Sequence, residues 1–294
     1  MKFERWRCQE GRSVSFRLFE RDHTQINEIY WCSVSEKGFF DHIYRNTKKQ
    51  KVPETPHQIL KINELHKGSK NIRNVLPEWD YQRKNMSLWI RMNTLLSLNS
   101  YFELYLNRIT HLAQESNPGL FLGADKVVDG AHILKTNDWN DAYLPNYGAE
   151  VTKGTWSQRL AALEKIFGIR LPMARAEELK LDKNRILRNK IAHYYGKDID
   201  DLSILNFESQ RPASLTEVTL LAYMKLIYDV AEEVDGQMIQ HIGDFEIVRF
   251  YHALAKLGKG MDKKELKKII NEQELWMNKG VEYCDGLIKY YQSL

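Results

Sequence analysis

The stretch "MSLWIRMNTLLSLNSYFELYLNRITHLAQES", residues 86–116, limits what this chain can fold into more than any other segment. Its apolar residues recur at helical spacing for about seven turns, and the run stops at Asn117-Pro118-Gly119, where proline and glycine end a helix. A helix of that length carries an apolar stripe that other elements must cover, so a mainly α, antiparallel helical bundle is expected. Other segments extend the pattern. Thr155 and Gln158 make a capping-box pair at the head of "WSQRLAALEKIF", and Gly168 stands where a terminating glycine belongs. Pro172 precedes a helix expected over roughly 174–195 and closed by Gly196. Ser214 with Glu217 reads as a second capping box ahead of "VTLLAYMKLIYDVAEEVDGQMIQHI", and the tail from 244 is helical again.

The N-terminal part reads differently. Val14, Phe16 and Leu18 alternate with Ser13, Ser15 and Arg17, and "EIYWCSVS" (28–35) is a second β-like run, which predicts a small β-hairpin. "EKGFFDHIYRNTKKQK" then turns to a short helical pattern. Residues 118–154, rich in Gly, Asp and Asn, read as a long connection with a short strand over Ala131, His132, Ile133 and Leu134. Three regions follow: an N-terminal module over 1–80, a helical bundle over 81–243, and a C-terminal helical extension over 244–294.

Composition narrows the function classes. The 294 residues are 43% hydrophobic and 28% charged, with a formal net charge of +4, a globular make-up compatible with a polyanionic partner. Cys8, Cys32 and Cys284 lie far apart with no C-x-x-C, which argues against a zinc framework or a disulfide scaffold and fits a reducing cytoplasm. The start, "MKFERWRCQEGR", lacks the apolar core of a secretory signal, and no window approaches the roughly 18 uninterrupted apolar residues of a membrane span. A cytoplasmic protein with no membrane partner is the expectation.

"RILRNKIAHYYG", residues 185–196, carries the chemistry. At about 100° per residue, Leu187, Ile191 and Tyr194 share one side, while Arg185, Arg188, Asn189, Ala192 and His193 fall within an arc of roughly 140° on the other. That face holds no acid, unlike the mixed-charge "ARAEELKLDK" before it. Histidine serves as base and acid near neutral pH, and arginine offers a fork of donors matched to phosphate oxygens. Together they suit attack of an RNA 2′-hydroxyl on its adjacent phosphate without a metal or other cofactor.

"LRNKIAHYYG" resembles the R-x4-6-H signature of the HEPN superfamily, and the preceding "LEKIFGIRLPMARAEELKLDKNR" is also similar to a stretch found in several of its branches. The resemblance covers roughly residues 86–242. It implies a HEPN-like antiparallel bundle, a homodimer whose two motifs face each other, and metal-independent endoribonuclease activity of the kind used in toxin–antitoxin and phage-defence systems. It assigns catalysis to Arg188 and His193, with Asn189 at the polar position after the arginine. An antitoxin or inhibitory partner protein belongs to the same picture.

Other residues are secondary. Glu103 could orient His193 or Arg188, and Arg185 and Tyr195 could contact RNA, although a packing role suits Tyr195 and Tyr194 as well. The lysines over 257–268 and the acidic "KDIDD" (197–201) read as solvated, and His57 and His66 have no partners at metal spacing. Arg17 and His23 also match the bare R-x4-6-H spacing, so context carries the assignment. The competing reading is a catalytically silent module that binds RNA, a nucleotide or a protein partner. A third is a plain helical interaction protein in which His193 satisfies the carbonyls at its helix end.

Overall fold

The computed structural model describes residues 2–62, 67–136, 147–194, 214–273, 276 and 278–294. Of these described residues 75% are helical, and none lies in a strand. In chain order the helices are α1 (Val14–Lys48), α2 (Pro56–Ile59), α3 (Leu76–Ser116), α4 (Gly130–Thr136), α5 (Gly148–Thr152), α6 (Trp156–Phe167), α7 (Pro172–Ala176), α8 (Glu178–Tyr194), α9 (Glu217–Ile242), α10 (Phe245–Lys256), α11 (Lys263–Asn271) and α12 (Val281–Ser293).

The mainly helical class stands, and several local expectations change. The hairpin expected within residues 13–35 is replaced by the 35-residue α1. Its buried apolar positions, Phe16, Phe19, Ile26 and Tyr30, step by three, seven and four, a helical spacing that the short alternation at 14–18 masks. The strand expected at 131–134 lies within α4, where Ala131 is buried. α3 begins at Leu76, ten residues before the apolar run. The helix expected over 174–195 is two helices, α7 and α8, separated at Glu177. The cap of α9 falls two residues later than expected: the Thr216 hydroxyl, not Ser214, accepts the Thr219 N–H at 3.1 Å. The capping box at Thr155 and Gln158 is present, and Gly168 closes α6 at φ 63°, a left-handed conformation that glycine adopts without strain.

The described residues form two compact units, one of Met1–Asp22, Ser100–Asn184 and Lys225–Leu294, the other of His23–Asn99 and Arg185–Met224. The first unit centres on an aromatic cluster. Phe16, Phe19, Phe102 and Tyr105 are all buried, with Phe19 and Tyr105 centroids 5.4 Å apart and Phe102 stacked on Trp156 at 5.6 Å. Leu106, Ile109, Leu160, Leu163, Val230 and Val234 complete this core. Its N-terminal segment is fixed by Arg5, whose guanidinium donates to the Ile242 and Ser116 carbonyls at 2.7 and 3.0 Å and pairs with Asp129. Gly243 sits against that segment at φ 53°, and a Cβ there would lie 2.2 Å from the Arg5 carbonyl oxygen.

In the second unit, Ile26, Tyr30, Trp79, Met92, Leu95 and Leu98 form the core with Ile191, Leu215 and Leu220. Polar links tie its helices: the Tyr30 hydroxyl donates to Glu217 at 3.0 Å, Arg91 Nε donates to the Leu215 carbonyl at 2.6 Å, and Arg83 pairs with Asp41 at 2.5 Å.

Candidate functional site

α8 positions the arginine–histidine segment. Glu178 lies in its first turn, where a negative charge complements the helix dipole, and His193 lies in its last. The buried positions of α8 are Leu181, Asn184 and Ile191. This stripe is turned relative to the expected one: Leu187 is half-buried rather than central to it, and Arg188, about 20° from Leu181 on an ideal helix, falls within its arc. Ile191 keeps its core assignment at 2% exposure.

Of the five residues expected on the polar face, Arg185, Arg188 and Asn189 are half-buried, while Ala192 and His193 are exposed. Arg188 Nη1 donates to Asn189 Oδ1 at 3.1 Å. That bond ties down one edge of the guanidinium fork and joins the two residues that the motif places side by side. Arg188 and His193 are five positions apart, which on an ideal helix separates them by about 7.5 Å along the axis and about 140° around it.

Glu103 belongs to the other unit. Its carboxylate accepts from Arg159 Nη1 at 3.4 Å, and Arg159 is itself buried, its guanidinium 5.1 Å from the Trp156 ring centroid. Tyr195, Gly196, His66 and the acidic segment 197–201 lie outside the described residues. His57 has a structural setting, its backbone N–H bonded to Asn74 Oδ1 and its Nε2 3.1 Å from the Ile72 carbonyl oxygen. In α11 the lysines occupy the solvent side of a helix that buries Leu266 and Ile270.

Sequence reasoning passed over a group of acids in the first unit. Asp235 accepts from the Ser13 N–H at 3.0 Å and from its hydroxyl, and Glu246 accepts from the Val14 N–H at 2.7 Å. Together they satisfy the open N–H groups at the start of α1. Tyr283 donates to Asp244 at 2.7 Å. Burial raises all three carboxyls, Asp235 and Asp244 to about 6 and Glu246 to about 7, against the pull of these hydrogen bonds. Cys8 is pushed by burial and by Asp244 to about 12, which leaves a thiol rather than a reactive thiolate. The acids lie within twelve residues of one another, but the Gln9, Ser13 and Val14 N–H groups they accept from stand more than 200 residues away, so only folding reveals their role.

Among the described residues no group of three or more His, Cys, Asp or Glu is arranged to hold a metal ion, and no helix is long and apolar enough to cross a membrane. No family model, curated protein or solved structure matches this chain.

Proposed function

We propose that this chain is a HEPN-like, metal-independent endoribonuclease of a toxin–antitoxin or anti-phage system, acting as a homodimer through Arg188 and His193. The observation that carries the reading is the Arg188–Asn189 hydrogen bond on α8, with an exposed His193 in the final turn of the same helix. A tethered arginine and an exposed imidazole supply the two functions that 2′-hydroxyl attack requires.

In this reading His193 takes the proton from the ribose 2′-hydroxyl as its oxygen bonds to phosphorus. Arg188 stabilises the charge that builds on the non-bridging oxygens, held in orientation by Asn189. The P–O5′ bond breaks, and the departing oxygen takes a proton from the imidazolium of the second copy. The products are a 2′,3′-cyclic phosphate and a 5′-hydroxyl. The divergence of about 140° between Arg188 and His193 on one helix favours a composite site, because the arginine of one copy and the histidine of another can close on a phosphate from opposite sides. Arg185, one turn before Arg188, contacts the flanking RNA backbone in this reading.

The test is incubation of the purified protein with single-stranded RNA in EDTA, beside His193→Ala and Arg188→Ala. Cleavage leaving cyclic phosphate ends is expected, with each variant slower by about 10²–10⁴-fold. Cleavage that persists in His193→Ala, or that needs an added divalent metal, overturns the mechanism. Absence of cleavage from the wild-type protein returns the silent binding module as the better reading.

A further inference from the structure

The first unit contains a cleft of about 400 Å³ between α3, α10 and the first residues of α1. Asn107, Arg108, His111 and Glu115 line it from α3, and on an ideal helix these four fall within an arc of about 100°. α10 contributes Glu246 and Arg249, and Trp276 closes one side, its indole packed against Phe250 with centroids 4.7 Å apart.

The charges in this cleft are not balanced internally. Arg249 pairs with Glu115 at 2.5 Å. Glu246 is bound to the Val14 and Ser15 N–H groups at the start of α1. Arg108 and His111 are exposed on the cleft wall, and neither side chain has a hydrogen bond or ion pair with any described residue. Two donor side chains therefore face an opening whose acids are already engaged, beside an aromatic ring and the apolar Val14 and Leu112.

The volume is that of a small-molecule site, roughly 300–1,000 Å³ in general. Guanidinium and imidazole donors suit the oxygens of a phosphate, and an indole suits a flat heteroaromatic ring. We propose that this cleft binds a nucleoside monophosphate, with its phosphate between Arg108 and His111 and its base against Trp276. The assignment goes beyond the ribonuclease reading and does not depend on it, because none of these residues belongs to the α8 segment.

Isothermal titration of the full chain with adenosine and guanosine 5′-monophosphates tests the assignment, with adenosine and inorganic phosphate as separate arms. At least one nucleotide should bind, and adenosine and phosphate should each bind at least about tenfold more weakly, because each presents half of the recognised chemistry. Arg108→Ala, His111→Ala and Trp276→Ala should each weaken the nucleotide by about tenfold. Lys225→Ala, at an exposed position of α9 outside the cleft, should leave it unchanged. Melting temperatures of the Arg108 and His111 variants, expected to match the wild type because both side chains are exposed, separate lost binding from lost fold. No binding of either nucleotide at millimolar concentration, phosphate binding as tight as the nucleotide's, or wild-type affinity in both Arg108→Ala and His111→Ala would overturn the proposal.

Discussion

Arg5 shows how much a single side chain contributes here. It is 6% exposed, its guanidinium reaches two backbone carbonyls and the Ser116 hydroxyl, and Asp129 balances its charge. Arg5→Ala leaves those acceptors and a half-buried carboxylate without their donor. A loss of about 3–5 kcal/mol is expected, read as a lower urea midpoint. Arg5→Lys keeps the charge but not the fork and should recover only part of the loss. None of this was legible in "MKFERWRCQEGR", which shows only frequent charges and no apolar core. The acceptors stand 111 and 237 residues away, and nothing local marks which of its three arginines becomes buried. Arg188 is the opposite case: its pairing with Asn189 lies between neighbours in sequence, and the motif already set the two side by side.

Among the helices, those with their own capping residues were the easiest to read. In α6 the Thr155 and Gln158 pair and the left-handed Gly168 lie where the sequence put them, since capping is settled within one turn. Thr155→Ala should cost about 1 kcal/mol, measured by chemical denaturation, because the Gln158 N–H loses its acceptor. The helical state of α1 escapes local sequence for a matching reason. Its first N–H groups are satisfied by Asp235 and Glu246, which lie more than 200 residues on, and the local sequence offers only a brief alternation of apolar residues. α8 stands between the two. Its polar face was legible from periodicity, but the buried stripe turned toward Arg188 because Leu181 and Asn184, rather than Leu187, take the covered positions.

At the scale of the molecule, the acids around the start of α1 tie stability to pH. Asp235, Asp244 and Glu246 have folded-state values raised to about 6, 6 and 7, so between about pH 4 and 7 the folded chain holds protons that the unfolded chain has released. Stability is therefore greatest on the acid side of that window and falls as pH rises through it. The melting temperature should drop between pH 5 and pH 8, and Glu246→Gln should flatten the upper part of the curve; a melting temperature that rises over this range would contradict the assignment. The ribonuclease proposal makes its own whole-molecule prediction. Sedimentation should show a dimer, and overexpression of the wild-type chain should slow growth while His193→Ala relieves it; a strict monomer, or equal growth with both, would count against a composite site. By itself the sequence determined the helical class, the capped ends of α6 and the arginine–histidine segment of α8, because periodicity, capping and motif spacing act over a few residues. Tertiary structure decided that residues 14–48 are helix, which charged groups are buried, and that Arg108, His111 and Arg249 line one cleft. Buried polar groups need partners, and here those partners lie on distant parts of the chain that only folding brings together.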